Sequence, residues 1–119
     1  MTEEFELTAA DARANNNYAF RWAAENGHLD VLQWLREQGC DWNEGTCGGA
    51  AAGGHLDVLR WAVENGAPWV PGNCRVAAYH GQLEALQWLR ANGCPWNRAD
   101  CLESATSPEV IEWIEAQPE

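Results

Sequence analysis

The sequence predicts an all-α solenoid of about four stacked helix-turn-helix units. Three observations carry that expectation. An octapeptide recurs almost unchanged as GHLDVLQW at 27–34, GHLDVLRW at 54–61 and GQLEALQW at 81–88, a period of 27 residues. Two further ladders, Trp42, Trp69 and Trp96, and Cys47, Cys74 and Cys101, keep the same step, so the register does not hang on one motif. Leu29, Leu32 and Leu35 fall at i, i+3 and i+6 with Asp30, Gln33 and Arg36 between them, which is one apolar helix face. Units of this size cannot bury their apolar faces alone and must stack.

The elements follow in chain order. Phe5 and Leu7 fall in register with Leu32 and Trp34, which predicts an N-terminal half-unit over 1–14. Full units are expected at 15–41, 42–68 and 69–95. A shortened last unit at 96–119 contains PEVIEW, where Trp113 comes 25 residues after Trp88 because the stretch matching His80-Gly81 is deleted. The first helix of a unit should open at Thr46, Asn73 and Asp100, all good N-cap residues, with Asp100 and Glu103 forming a capping box. Ala50-Ala51 and Ala77-Ala78 then permit close helix approach. The second helix should start after Gly27 and stop at Gly39, with the later copies stopping at Gly66 and Gly93, because glycine supplies the left-handed cap. The Asn-Gly pairs at 65–66 and 92–93 could instead mark hairpin turns, but helix-period sequence flanks them. The last helix begins at Ser107-Pro108-Glu109, with a capping Ser, Pro in the first turn and an acid beside the helix N-terminus.

Composition bounds the function. The 119 residues suit one domain, and 46% hydrophobic residues suffice for a core. Eighteen acids against seven bases, all Arg, give a net charge of −11, which argues against a nucleic-acid partner. Most of that charge lies at the ends. Glu3, Glu4, Glu6 and Asp11 precede the middle, and Asp100, Glu103, Glu109, Glu112, Glu115 and Glu119 follow it. Between residues 12 and 99, eight acids face all seven Arg. Polar end units keep the open faces of a solenoid from stacking, so a monomer is expected. No apolar stretch approaches the roughly 18–20 residues of a membrane span, and the N-terminus is acidic where a signal peptide would be basic. Five cysteines with no Cys-x-x-Cys pair suggest reduced thiols, and together these features point to a soluble, intracellular, cytoplasmic protein without a membrane partner.

Ala-Ala-x-x-Gly-His-Leu-Asp-Val-Leu, followed by Gly39-Cys40-Asp41-Trp42-Asn43, resembles the ankyrin repeat pattern over residues 15–117, with Trp42 where that family usually has Val. Two departures stand out. The family's repeat is about 33 residues, and the residues missing here lie between Asn43 and Cys47, where ankyrins project a β-hairpin finger. Gly45-Thr46-Cys47-Gly48 also replaces the Thr-Pro-Leu-His signature. The resemblance is to a short, fingerless, Trp- and Cys-rich ankyrin-type repeat. It implies a non-catalytic module that binds a protein partner through its concave face, where Arg21, Glu25, Gly48, Ala52, Arg75, Tyr79 and His80 would lie. Tyr79 is a suitable interface anchor, whereas Gly48, Gly49, Ala52 and Gly53 should leave the middle of the groove nearly featureless. Two other functions stay open: a purely structural array, and a Cys/His metal-binding or redox protein. The rival fold is a leucine-rich repeat, whose range of about 20–29 residues includes this period and which would bring β-structure.

Tryptophan and cysteine raise the remaining site hypotheses. Trp34, Trp61, Trp88 and Trp113 lie on the second helices, and Trp42, Trp69 and Trp96 in the loops. The loop Trp should plate the seam between repeats, burying about 150–250 Å² each. The alternative is an exposed stripe that stacks bases or sugars, disfavoured by the lack of interleaved cations. Cys40 and Cys47, and again Cys94 and Cys101, are seven apart, with His28, His55 and His80 elsewhere. Zinc needs about four converging ligands, yet the middle unit has Ala67 for Cys and the third has Gln82 for His, so packing explains these positions better. Helices stacked about 8–10 Å apart hold successive ladder thiols beyond the roughly 7 Å Cα limit of a disulfide. Buried Cys then acts as a small hydrophobe. No Ser/His/Asp set, phosphate loop or carboxylate pair appears, so no catalytic residue, cofactor or metal ligand is expected.

Overall fold

Glycine at regular intervals sets the helix lengths, and the resulting elements are all helical. The computed structural model describes residues 16–42 and 44–118. Among these residues there are eight helices and no strand: α1 Asn16–Glu25, α2 Leu29–Glu37, α3 Glu44–Gly53, α4 Leu56–Glu64, α5 Pro71–Tyr79, α6 Leu83–Ala91, α7 Arg98–Ser104 and α8 Pro108–Glu115. The leucine-rich alternative, which requires a strand per unit, therefore falls. The half-unit expected over 1–14 lies outside the described residues. No helix among those described is long and apolar enough to cross a membrane.

The helix stops are those the glycines predict. After α2, Gly39 adopts φ 79°, its N–H donates to the Arg36 carbonyl at 3.0 Å, and the Cys40 N–H donates to the Leu35 carbonyl at 3.1 Å. Those two bonds satisfy carbonyls that the helix end would otherwise orphan. The Asn65-Gly66 pair builds the same motif, with Gly66 donating to Val63 and Ala67 to Ala62, so it stops a helix and makes no hairpin. The motif also explains why Cys40, Ala67 and Cys94 interchange. Each follows the left-handed glycine, where a small apolar side chain turns back onto the helix, and all three are buried.

The helix starts differ from expectation. Asn73 and Asp100 are the third residues of α5 and α7, and Thr46 occupies the same place in α3. Val70 and Asn97 hold the N-cap positions. Asn73 reaches back, its Oδ1 accepting from the Val70 N–H at 2.7 Å. In the next unit the roles reverse, and Asn97 Oδ1 accepts from the Asp100 N–H at 3.0 Å; the Asp100–Glu103 capping box is thus replaced by an Asn cap. Ser107 sits at the N-cap of α8, but its hydroxyl caps nothing.

Two layers result. Ala19, Ala23, Ala24, Ala50, Ala51, Ala77 and Ala78, with the ladder thiols Cys47, Cys74 and Cys101, are buried among the first helices, while Leu32, Leu35, Leu59, Leu86, Leu89 and Ile114 point inward from the second. Each such Leu or Ile stabilises the fold by about 1.5–3 kcal/mol. Small residues let α1, α3, α5 and α7 approach closely, whereas the bulkier second helices barely touch one another, so the stack curves with the first helices inside. The array measures 46 × 31 × 20 Å.

Bonds between units tie the stack. His55 Nε2 lies 3.0 Å from the Glu25 carbonyl and donates to it; Gln82 Nε2 donates to the Ala52 carbonyl at 3.0 Å; Thr106 Oγ1 donates to the Tyr79 carbonyl at 2.9 Å. Each donor supplies a partner for a carbonyl at the end of the preceding first helix. The His-to-Gln exchange is therefore one donor for another, where the sequence suggested an inert replacement. At the far end the Arg98 guanidinium donates to the carbonyls of Ile114, Glu115 and Gln117 at 3.1–3.2 Å. A cation there also complements the negative end of the α8 dipole.

Candidate functional site

The inner surface is best built from positions that the repeat makes equivalent. Across the first three units these rows read Tyr18, Gly45, Gly72; Arg21, Gly48, Arg75; Trp22, Gly49, Val76; Glu25, Ala52, Tyr79; and Asn26, Gly53, His80. The middle unit has Gly or Ala in every row. Its neighbours carry large side chains in nearly all of them. A cavity of about 400 Å³ opens where those side chains are missing. Gly48, Gly49 and Ala52 of α3 form its floor, Arg21 and Glu25 of α1 one wall, and Val76 and His80 of α5 the other, with Val70 and Asn73 beside them. The middle that the sequence suggested would be featureless is thus a trough.

Its glycines serve different ends. A Cβ on Gly49 would come within 2.9 Å of the Arg21 carbonyl and 3.2 Å of Ala24 Cβ, so this glycine lets α1 and α3 pack backbone to backbone. Gly53 lies against the His55 ring, where a Cβ would sit 2.7 Å from Cδ2. Gly48 has no such reason. A Cβ there would meet only Asn73 Nδ2, at an ordinary 3.5 Å. Glycine in a helix interior costs about 1 kcal/mol relative to alanine, and at Gly48 packing does not offset that cost.

Five of the seven residues expected to face the groove, Arg21, Glu25, Gly48, Ala52 and His80, line this one cavity. Arg75 lines a smaller neighbour of about 200 Å³ with Pro71, Gly72, Asn97, Asp100 and Cys101. Tyr79 lies outside both linings, 57% exposed, with its ring edge-on to His80 at 5.0 Å. Sequence reasoning missed Gly45, Val70, Gly72, Asn73 and Val76, although the rows above would have found Gly45, Gly72 and Val76. Arg21 Nε pairs with Glu25 Oε2 at 3.0 Å, one turn apart on an exposed surface; such a pair is worth about 0.3–0.5 kcal/mol and yields readily to a competing charge. Arg75 Nε donates to Ser104 Oγ at 3.1 Å and forms no ion pair among the described residues. Asn73 is fixed by its bond to Val70.

The aromatic ladders pack. All eight Trp are half-buried against the core. Trp42 meets Trp61 edge-on at 5.3 Å, and Trp69–Trp88 and Trp96–Trp113 repeat the pairing at 6.3 and 6.0 Å. Phe20 of the preceding unit lies 5.9 Å from Trp42, across the seam. Cations do interleave, contrary to the sequence reading: Arg36 and Arg90 lie over Trp42 and Trp96 at 4.5 and 4.7 Å. Both also donate to the Cys40 and Cys94 carbonyls, which ties them to the scaffold.

All five thiols are buried and free. Burial pushes the Cys47 thiol from its ordinary 9.0 up to about 12 and that of Cys101 up to about 11. A hydrogen bond between Cys74 and Cys94 raises the first and lowers the second, and the Pro95 carbonyl lies 3.8 and 3.6 Å from their sulfurs. Among the described residues no group of three or more His, Cys, Asp or Glu side chains is placed to hold a metal ion.

No curated protein matches the chain. Residues 15–44, which contain α1 and α2, match a family described as ankyrin repeat. The helix pair in that match recurs three times along the chain, with the same glycine turns in the next two units. Ankyrin repeats are in general non-catalytic protein-interaction modules, and the first helix pair of this chain, residues 15–44, is similar to one.

Proposed function

We propose that the chain is a non-catalytic interaction module that holds a protein partner against the inner face of its curve. The observation that carries this reading is the trough between α1, α3 and α5, with exposed Tyr18 and Tyr79 on the same set of helices. Exposed tyrosines supply large contact area at low entropic cost. Units 15–41, 42–68, 69–95 and 96–119 each contribute a first helix to this surface, and the contact set is Arg21, Glu25, Gly48, Ala52, Arg75, Tyr79 and His80. The module works as a monomer in the cytoplasm without a cofactor, where its buried thiols stay reduced. It binds neither nucleic acid nor membrane, consistent with a net charge of −11.

Capture from the native source tests this. Immobilised wild-type protein should retain a partner that the double variant Tyr79→Ala, Arg75→Ala loses. Equal capture by both would overturn the inner-face reading and favour a structural array.

A further inference from the structure

Among the described residues, each second helix except α4 ends against an arginine. The last turn of α2 carries Arg36 and that of α6 carries Arg90, and the end of α8 is held by Arg98. The last turn of α4 has no basic residue and closes on Glu64. The repeat puts Val63 where the neighbouring units have Arg36 and Arg90, yet it keeps both groups that those arginines touch. In the first unit the guanidinium lies 4.5 Å over Trp42 and donates to the Cys40 carbonyl at 2.9 Å. In the third it lies 4.7 Å over Trp96 and donates to the Cys94 carbonyl at 2.6 Å. The equivalents between them, Trp69 and the Ala67 carbonyl, have neither contact among the described residues.

We infer that the end of α4 is a docking point for an arginine side chain of a protein partner, with Trp69 as its stacking face and the Ala67 carbonyl as its acceptor. The two flanking units show the occupant's chemistry in the same chain. A planar guanidinium stacks on an indole and still donates in its own plane, whereas a lysine ammonium is a strongly hydrated point charge. Val63 offers no donor, and Arg60, a turn earlier in α4, makes neither contact among the described residues. Electrostatics favour a cation there. The negative end of the α4 dipole faces no base, and exposed Glu64 forms no ion pair among the described residues. The second helices together carry eight acids against three Arg, of which Arg36 and Arg90 are already engaged. Space is open as well, since a Cβ added to Gly66 would meet nothing within 4 Å. None of Val63, Ala67 and Trp69 lines the trough, so this contact is separate from the inner face.

The test uses the whole chain, isotope-labelled so that NMR resolves each Trp indole N–H, and three end-blocked peptides: Gly-Ser-Arg-Ser-Gly, its Lys counterpart and its citrulline counterpart. The Arg peptide should shift the Trp69 indole and amides 66–70 at about a tenth of the concentration that Trp42 or Trp96 requires, because their faces are already taken. The Lys peptide should need about tenfold more than the Arg peptide at Trp69, and the citrulline peptide, planar but uncharged, should shift nothing. Val63→Arg supplies the side chain from within and should abolish the Trp69 response while melting no lower than wild type. Arg36→Val, at an exposed position, makes the reverse change and should open Trp42 to the Arg peptide; it keeps the test decisive if Val63→Arg misfolds. No response to the Arg peptide, an equal response at the three indoles, equal binding of the Lys or citrulline peptide, or a wild-type response from Val63→Arg would overturn the inference. So would self-association of the free chain at this site, a second copy then being the occupant. The double variant Tyr79→Ala, Arg75→Ala should leave the Trp69 response unchanged, so failure of one surface is distinguishable from failure of the other.

Discussion

Two adjacent glycines in α3 should respond oppositely to the same methyl group. Replacing glycine by alanine inside a helix gains about 0.8–1 kcal/mol, because the unfolded chain loses freedom it no longer has to surrender on folding. At Gly48 nothing opposes that gain, since the new Cβ would meet only Asn73 Nδ2 at 3.5 Å. At Gly49 the same Cβ would press to 2.9 Å from the Arg21 carbonyl and 3.2 Å from both Ala24 Cβ and Glu25 Cγ. A backbone carbonyl cannot swing aside as a side-chain tip can, so α1 must shift, and overpacking of this kind costs about 1–3 kcal/mol. We expect Gly48→Ala to stabilise by about 1 kcal/mol and Gly49→Ala to gain nothing and to destabilise by up to about 2 kcal/mol net. At about 2.1 cal/mol/K per residue of unfolding entropy, that is a rise of about 4 °C for the first and a fall of up to about 8 °C for the second. Thermal and urea melts followed by helical circular dichroism read both. If both variants gained equally, the close α1–α3 packing would not exist; if Gly48→Ala lost stability, its open space would not.

Two further expectations concern charge. The chain has no Lys, so between pH 8 and 12 few groups titrate besides five Cys and two Tyr. Cys47 and Cys101 have folded values raised above 9.0; the stability they confer is complete below pH 9 and drains as pH rises toward 11–12, about 1.4 kcal/mol from each at pH 10. Cys47→Ala should remove its own share, about 1.4 kcal/mol at pH 10, of an alkaline slope to which the raised Cys74 also contributes, and an unchanged slope in urea melts would refute the assignment. Arg98→Met should free three carbonyls at the end of α8 and speed amide exchange at Ala116 and Gln117 by about tenfold, the scale of one charged hydrogen bond; exchange at the wild-type rate would show that the clamp holds nothing.

The helix layout was legible in the sequence because one residue type controls it. A left-handed cap admits glycine almost alone, so Gly39, Gly66 and Gly93 announce their role without any knowledge of packing. N-caps are less exclusive. Asn73, Asn97 and Asp100 are all competent, and the choice between reaching forward and reaching back depends on backbone geometry two residues away. The ties between units were hidden for another reason. His55, Gln82 and Thr106 differ in type, and their common acceptor is a main-chain carbonyl 27 to 30 residues earlier, which carries no side-chain signature. The trough was hidden because small residues read as absence along one unit. Only rows taken across units turn Gly48 and Ala52 from blanks into a shape between Arg21 and Val76.

The tryptophan pairs give the chain its own optical markings. Each of the last three units holds one pair with ring centroids 5.3–6.3 Å apart and steeply inclined planes. Two indoles so placed couple their transitions, and the coupled signal vanishes once the loop parts from the helix. Replacing all pairs but one by phenylalanine leaves a single reporter at a chosen height in the stack. Three such variants, unfolded side by side, would show whether the array comes apart at once or peels from one end, and from which.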